Sequence, residues 1–331
     1  MNHRLTHVSR YRALSVLSAA LSLVSAPAFA QTDYPNKHIR MIVGFAAGGI
    51  SDVLGRAIAA RMSPLIGQQV IVENRPGAGT TIAGDVTAKA APDGYTIWLQ
   101  DITAHAINAT LVPKLPYDTL RDFTPIALVA STPLMLVVHP SMPVNSVQEL
   151  SQYLRARPGR TMYGSSGSGA SVHMASEMYR AAVNADVIHV PYRGSAPATT
   201  AILANEVTFV FSTMPPAVAN VQAGRLRAQA VTTSKRVAAA PSVPTMMEAG
   251  IANYELVLWS GVLGPANMPP AIVRRLNGEF AKVMAMDEVK AAFAKIGADP
   301  ITTTPEAFRD MLTREITKLA PIVRSSGAKV E

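Results

Sequence analysis

The sequence predicts an α/β protein, because short apolar runs typical of strands alternate with segments of helical spacing. Residues 39–45 form the first apolar run, and Leu54, Ile58 and Met62 recur at helical spacing soon after it. Proline and glycine end the periodic segments, as at 158–159. The alternation favours helices packed around mostly parallel strands.

The same order of elements continues along the chain. Strands are predicted at residues 39–45, 69–73, 95–99, 161–163, 186–190, 207–211 and 227–232, with longer apolar runs at 127–139 and 254–263. Helices are predicted at residues 52–66, 81–90, 147–156, 171–183, 196–204 and 270–284, followed by two more helices near the C-terminus.

The chain contains two such α/β halves and no low-complexity linker between them. This organisation predicts two lobes joined by strands that cross between them, with hinges near residues 132–138 and 256–263. The first lobe is then discontinuous. We expect it to comprise residues 31–132 and 259–331, and the second lobe to comprise residues 133–258.

The N-terminus has the features of a secretory signal peptide. Arg4, Arg10 and Arg12 precede an apolar stretch at 13–24, and Ala28-Phe29-Ala30 forms a small-x-small cleavage site. An uncleaved membrane anchor is disfavoured, because the stretch is shorter than the roughly 20 residues that span a bilayer. We expect residues 1–30 to be removed after Ala30 and the protein to be exported.

Composition excludes several classes of protein. The net charge is +8, and removal of the three signal arginines leaves +5, spread along the chain rather than concentrated in a stripe, which disfavours nucleic-acid binding. The chain has no cysteine, which excludes disulfides, thiol catalysis and cysteine metal sites. The histidines form no metal-binding motif, so we expect neither a metal nor a cofactor.

The first candidate site is the turn from Phe45 to Asp52, which follows a strand and opens a helix. Free N–H groups and the helix dipole at such a turn favour an anion. A phosphate loop is excluded, because Ile50 occupies the position of its lysine. A structural turn without a ligand stays open as the alternative. The candidate ligand residues are Phe45, Ala47, Gly48, Gly49, Ile50 and Ser51.

The second candidate is the serine- and glycine-rich loop before the helix at 171–183. It offers hydroxyls and open backbone for a carboxylate, although a surface loop without a ligand is the alternative. It lacks a nucleophile elbow, because Ser168 stands where Gly-x-Ser-x-Gly needs its last glycine. The candidates here are Ser165, Ser166, Gly167, Gly169, Ala170 and Ser171.

Further candidates lie near other predicted strand ends. Arg193 and Ser195 follow a strand, and an arginine there either pairs with a carboxylate or lies exposed beside the turn. Ser212 directly follows the strand predicted at 207–211. His105 stands four residues after Asp101, a spacing that allows an ion pair within a helix.

A series of short motifs along the chain resembles the Bug family, the periplasmic receptors of tripartite tricarboxylate transporters. The resemblance covers residues 34–299 and is carried by Tyr34-Pro35, Gly48-Gly49, Asp52, Asn74-Arg75-Pro76-Gly77-Ala78-Gly79, Pro92-Asp93-Gly94-Tyr95-Thr96, Leu115-Pro116-Tyr117-Asp118, Tyr163-Gly164-Ser165-Ser166-Gly167, His189-Val190-Pro191-Tyr192-Arg193-Gly194-Ser195 and Pro241-Ser242-Val243-Pro244-Thr245.

The resemblance implies a type II periplasmic-binding fold, in which two α/β lobes close on a ligand. It implies a non-enzymatic, monomeric receptor that binds a small carboxylate through the first turn and the serine-glycine loop. It also implies membrane transporter subunits of the tripartite tricarboxylate type as partners.

The chain departs from the family at the strand 207–211. Val207 and Ser212 stand where the family commonly has aspartates. Loss of a carboxylate that would face an ammonium group suggests a ligand without an amine, namely a dicarboxylate or an aromatic acid. Three alternatives stay open: a sensor that signals to a membrane kinase, a binding protein of an ATP-driven importer, and a secreted hydrolase.

Overall fold

Two β-sheets organise the computed structural model, which describes residues 34–330. The predicted signal peptide at 1–30 lies outside the described residues. Strands β1 Ile39–Val43, β2 Val70–Asn74, β3 Thr96–Asp101, β4 Phe123–Thr132, β10 Leu258–Pro265 and β11 Asp299–Pro300 form the first sheet, in the order β11-β4-β10-β3-β1-β2. Strands β5 Leu134–Val138, β6 Met162–Ser165, β7 Ile188–Pro191, β8 Phe209–Thr213 and β9 Arg227–Val231 form the second, in the order β7-β6-β8-β5-β9.

Helices cover both sheets and confirm the predicted α/β class. They are α1 Ile50–Ile66, α2 Thr81–Ala88, α3 Ile102–Leu111, α4 Val147–Arg155, α5 Ser171–Ala182, α6 Ser195–Leu203, α7 Met214–Gln222, α8 Pro270–Ala285, α9 Asp287–Lys295 and α10 Pro305–Ser326. Within residues 34–330, no helix combines the length and apolar character needed to cross a membrane.

The prediction of mostly parallel strands is wrong. β1 pairs in parallel with β2 and β3, and β6 pairs in parallel with β7 and β8. The remaining described pairings, which all involve β4, β5 or β10, are antiparallel. These are the strands beside the points where the chain passes between the sheets, so their direction depends on the crossing rather than on a local strand-helix-strand unit.

The chain crosses between the sheets at two adjacent places. Pro133 separates β4 from β5, and residues 232–257 connect β9 to β10. Thr232 joins the crossings, because its N–H donates to the Leu134 carbonyl at 3.0 Å and its Oγ1 donates to the Leu256 carbonyl at 2.6 Å. We call the first sheet with α1–α3 and α8–α10 the first lobe, and the second sheet with α4–α7 the second lobe.

Burial follows from this layering. Every residue of β5 is buried, and β1 is buried except for Arg40, as expected for strands covered by helices on both faces. Helix α4 instead has one apolar stripe, with Val147, Leu150 and Leu154 buried. The sequence patterns do not predict α3 and α7, because each helix begins directly where a strand ends, without an intervening turn.

His105 belongs to the core of the first lobe. Its ring packs against Trp98, Tyr117 and Phe123 at centroid distances of 5.2–5.9 Å. The side chain is fully buried, and Nε2 lies 3.0 Å from the Thr119 carbonyl. Aromatic packing therefore holds His105 in the core of the first lobe.

His105 makes the stability of the fold dependent on pH. Burial lowers its pKa to about 4, against an ordinary value of 6.5. Unfolding therefore takes up a proton between pH 6.5 and 4, and stability present above pH 6.5 is lost as the pH falls through this window. His105→Gln should reduce the slope of the unfolding free energy against pH by about 1.4 kcal/mol per pH unit, measured by urea denaturation. The exposed His38→Gln is the control, and equal slopes in all three proteins would contradict the prediction.

Candidate ligand-binding site

Five helices begin at the strand ends that face the gap between the lobes. In the first lobe, β1 leads to α1 and β3 leads to α3; in the second, β6, β7 and β8 lead to α5, α6 and α7. The strands within each group are parallel to one another, so their carboxyl ends lie at one edge of their sheet. The positive ends of five helix dipoles consequently point toward the same region.

These helix ends enclose a small cavity between the two lobes. It is small, with about 280 Å³ of space that is not filled by atoms. The lobes are therefore closed on each other. The lining residues are Phe45, Gly49, Ile50, Ser51, Asp101, Ser166, Val172, Ser195, Thr213 and Leu258.

The structure brings six of the predicted site residues together at this cavity, and places the others around it. The six are Phe45, Gly49, Ile50, Ser51, Ser166 and Ser195. The predicted residues that do not line it are Ala47, Gly48, His105, Ser165, Gly167, Gly169, Ala170, Ser171, Arg193 and Ser212.

The residues outside the cavity have identifiable places. Ala47 and Gly48 are exposed, and a Cβ atom on Gly48 would lie 3.3 Å from the Ala196 Cβ of the second lobe. Arg193 is exposed in an outer groove that Ser166 and Gly167 also line. The other loop residues are buried behind the cavity wall.

The first turn presents backbone and one hydroxyl to the cavity. Gly49 is the N-cap of α1, and no side chain caps this helix end. Asp52 accepts the Gly48 N–H at 3.0 Å and pairs with Arg56, which holds the turn against its helix. The Ser51 Oγ is buried and has no hydrogen-bond partner among the described residues.

Two histidines hold the serine-glycine loop from behind. The Ser165 Oγ lies 2.6 Å from the His189 Nε2 and accepts the Gly167 N–H, while the His173 Nδ1 accepts the Gly169 N–H at 3.1 Å. The two imidazole rings stack at 4.2 Å. Burial lowers the pKa of His173 to about 4 and that of His189 to about 3. The Ser165–His189 pair supports the loop and does not open into the cavity.

The last strand end supplies a second unpaired hydroxyl. The Thr213 N–H donates to the Ser195 Oγ at 2.9 Å, whereas the buried Thr213 Oγ1 has no partner among the described residues. Ser212 faces the other way, with its Oγ 2.9 Å from that of Thr199 on α6. Thr213 is not among the predicted site residues, although Pro215 and Pro216 after it are a helix-start signal.

Asp101 is the charged member of the cavity wall. Its Oδ1 caps α3 by accepting the Ala104 N–H at 3.0 Å, and its Oδ2 accepts the Ser171 Oγ–H of the other lobe at 2.6 Å. The predicted ion pair with His105 does not form, because the carboxylate turns to these donors. Burial raises the pKa of Asp101 to about 6, although hydrogen bonds from Ser171, Ala104 and Thr103 oppose the shift.

The remaining four helix ends carry no side-chain cap. Their first-turn N–H groups and the two unpaired hydroxyls are hydrogen-bond donors in a buried space, where polar groups normally have partners. Among the described residues that line the cavity, none is Lys, Arg or His. The arrangement suits a small anion held by dipoles and hydroxyls rather than by a cationic side chain.

A larger groove lies on the second lobe, away from the gap. With the open solvent above it, the groove measures about 1330 Å³, and Arg227, Gln229 and Glu248 contribute to its lining. Helix α4 begins beside it, but Ser146 already caps this helix by accepting the Glu149 N–H. We assign the candidate site to the enclosed cavity, because its donors are unsatisfied and come from both lobes.

Comparison with known proteins identifies the family. A profile described as "Tripartite tricarboxylate transporter family receptor" matches residues 54–328. The chain belongs to this receptor family. It is also similar to Protein BugT of Bordetella pertussis, with 35% identity over 326 residues that cover 98% of this chain and all of that protein.

Solved structures of similar proteins share the fold. The structure of R. palustris Rpa4515 with adipate has a TM-score of 0.87 at 33% identity, and covers 90% of this chain and all of that chain. MatC from Rhodopseudomonas palustris with bound malate has a TM-score of 0.84 at 28% identity, and covers 88% and 100%. The structure of the periplasmic binding protein BugD has a TM-score of 0.87 at 29% identity, and covers 90% and 100%. These likenesses confirm the predicted two-lobed periplasmic-binding fold.

The closed arrangement depends on close backbone contact between the lobes. The Ala46 N–H donates to the Arg193 carbonyl at 2.9 Å. Gly79 of the first lobe lies against the Ser168 carbonyl of the second, where a Cβ atom would overlap the oxygen.

Gly79→Ala should hold the lobes apart. Its control is Gly67→Ala, because both glycines have left-handed backbones (φ 57° and 69°) but nothing lies within 4 Å of a Cβ at Gly67. Both variants should lose about 1–2 kcal/mol of stability from backbone strain. Hydrogen exchange of the Ala46 amide should become about tenfold faster in Gly79→Ala and stay unchanged in Gly67→Ala. This factor corresponds to a decrease of about 1.4 kcal/mol in the free energy of opening. Unchanged exchange in Gly79→Ala would show that this contact does not control closure.

Proposed function

We propose that this chain is a periplasmic receptor that captures a small carboxylate between its lobes and delivers it to the membrane subunits of a tripartite tricarboxylate transporter. The observation that supports this proposal most directly is the convergence of four uncapped helix N-termini and two unpaired buried hydroxyls on one cavity. The receptor acts as a monomer, without a cofactor and without catalysing a reaction. Export removes residues 1–30 by cleavage after Ala30.

A carboxylate fits these donors better than a cation does. Its two oxygens accept several hydrogen bonds at once, and bonds to a charged acceptor are about twice as strong as neutral ones. The partial positive charge of the helix ends favours the same sign of ligand. The adipate and malate in the structures of Rpa4515 and MatC support this chemistry.

Binding requires the lobes to separate and close. The closed cavity is too small to admit a ligand from solvent, so we propose hinge motion at the two crossings, between a first lobe of residues 31–132 and 259–331 and a second lobe of residues 133–258. The ligand shifts the population toward the closed state to the extent that it binds that state more tightly. Membrane subunits that recognise the closed state would then receive loaded receptor.

The ligand is proposed to be a dicarboxylate or an aromatic acid. The test is a thermal-shift screen of the mature chain against a library of carboxylic acids, followed by isothermal titration calorimetry of the acids that raise the melting temperature. Saturation at 100 times Kd should add about 2.7 kcal/mol of stability. A library in which neutral amides stabilise the chain as well as the acids do would contradict carboxylate recognition.

Substitutions that remove the unpaired hydroxyls should change ligand affinity without lowering the stability of the ligand-free protein. Ser51→Ala and Thr213→Val each remove a buried oxygen that has no partner in the closed protein, so the ligand-free stability should stay equal or rise. Affinity should fall, because a hydrogen bond to a charged group contributes about 1.5–3 kcal/mol, or roughly 10- to 150-fold in Kd. Calorimetry and thermal melts measure the two effects.

The control for this pair is Thr87→Val. The Thr87 side chain is also fully buried, but its Oγ1 donates to the Ala83 carbonyl at 2.8 Å within α2. This variant should lose stability and keep its affinity. Wild-type affinity in both Ser51→Ala and Thr213→Val would show that these hydroxyls do not bind the ligand.

A further inference from the structure

Asp101 is an anion inside a cavity that otherwise attracts anions. Its side chain is 2% exposed and lines the same space as the Ser51 and Thr213 hydroxyls. Among the described lining residues it alone has an ionisable side chain. One of the five converging helix ends is therefore already occupied by a carboxylate of the protein itself.

No cation of the described chain balances Asp101. Strand β10, which pairs with it through Ser260, carries no charged residue. On α1, α3 and α5, each buried carboxylate or histidine side chain has another partner: Asp52 with Arg56, Glu177 with Arg180, His105 with Thr119 and His173 with Gly169. The donors that hold the Asp101 carboxylate are all neutral: the Ser171 hydroxyl and the backbone amides of Ala104, Thr103 and Ser171.

The neutral donors leave the negative charge of the carboxylate without a counter-charge. The Ala104 N–H and the Ser171 hydroxyl each bind one Asp101 oxygen, and the backbone amides of Thr103 and Ser171 also favour the ionised form. A ligand in the cavity thus meets oxygens that accept hydrogen bonds and repel another negative charge. Two carboxyl groups in contact do not both stay ionised.

We propose that Asp101 is a specificity-determining residue that selects carboxylates presenting a hydrogen on a hydroxyl, an ammonium or a protonated carboxyl group to its oxygens. This inference rests on the proposed function and narrows its ligand class. A site built around a hydrogen bond discriminates against the analogue that lacks the donor, because that analogue forms no bond to offset its repulsion from the Asp101 charge. The ligand's ionised carboxylate is held by the open helix ends, and its donor group meets Asp101.

The proposal changes the expectation about an amine. The sequence-based argument against an amine rested on Ser212, whose side chain turns to Thr199 and Ser195 and does not line the cavity. Asp101 offers the carboxylate that an ammonium or hydroxyl needs. Hydroxy and amino acids therefore join the candidate ligands, and a fully ionised dicarboxylate becomes the disfavoured member.

The test compares ligands that differ only in one hydroxyl. Malate against succinate probes the dicarboxylates, and mandelate against phenylacetate probes the aromatic acids. Calorimetry at pH 8.0 should give wild type at least a tenfold preference for the hydroxylated member of the pair that binds. Asp101→Asn should reduce this preference to below threefold, mainly by binding succinate or phenylacetate more tightly.

A second variant tests whether a loss of preference comes from the missing charge rather than from misfolding. Asp101→Ser keeps a helix cap without the charge, and should show the same loss of preference. At pH 5.0, below the raised pKa of Asp101, wild type should also lose most of its preference, because a protonated Asp101 no longer repels the unsubstituted acid. The variants should show no comparable change with pH.

The outcomes separate the two proposals. If wild type binds no acid of the carboxylic-acid library, these four included, the proposed function fails. If wild type binds one pair and both Asp101 variants retain its ratio of dissociation constants, the assignment of Asp101 alone is overturned.

Discussion

Amide groups at a helix N-terminus have no partner inside their own helix, and this chain aims five such ends at one enclosed space. The arrangement follows from topology. Parallel strands place their carboxyl ends at one edge, so the helix that follows each strand begins there. Because one such edge comes from each sheet, the site exists in full only when the two lobes meet.

This design keeps polar groups unsatisfied in the closed protein. A buried donor without a partner costs about 1–3 kcal/mol, and the Ser51 and Thr213 hydroxyls are both in that position. Functional sites commonly hold such unfavourable groups at some cost in stability. A ligand that accepts from them gains the same free energy, which links closure of the lobes to capture of the ligand.

The rest of the chain holds these groups in place. Asp52 and Arg56 fix the first turn, and the stacked His173 and His189 fix the serine-glycine loop. Asp101 has a different role, because it caps its own helix and also accepts a hydrogen bond from Ser171 in the opposite lobe. Closure therefore buries a protein carboxylate beside the space intended for a carboxylate ligand, and the balance between the two sets the ligand class.

Local patterns predicted the parts of the site that local structure determines. A strand followed by glycines and a helix marked Gly49 and Ser51, because backbone geometry alone fixes such a turn. Side-chain direction could not be predicted in the same way. His105 is a plausible ligand residue by type, but aromatic packing buries it in the lobe core. The prediction of strand direction was also wrong, because the direction of a strand depends on where the chain crosses between the sheets. The patterns did not mark Thr213 and marked Asp101 only as a partner for His105, because β8 and β3 pass into helices without a loop.

The central claim is that backbone amides at the converging helix ends hold the ligand carboxylate. Amide nuclear magnetic resonance of the ¹⁵N-labelled mature chain tests it directly, during titration with the tightest acid from the screen. The account predicts the largest downfield proton shifts at the amides of Gly49, Ile50, Ser51 and Val172. Largest shifts in the second-lobe groove at Arg227 and Gln229, with these four amides unmoved, would contradict it.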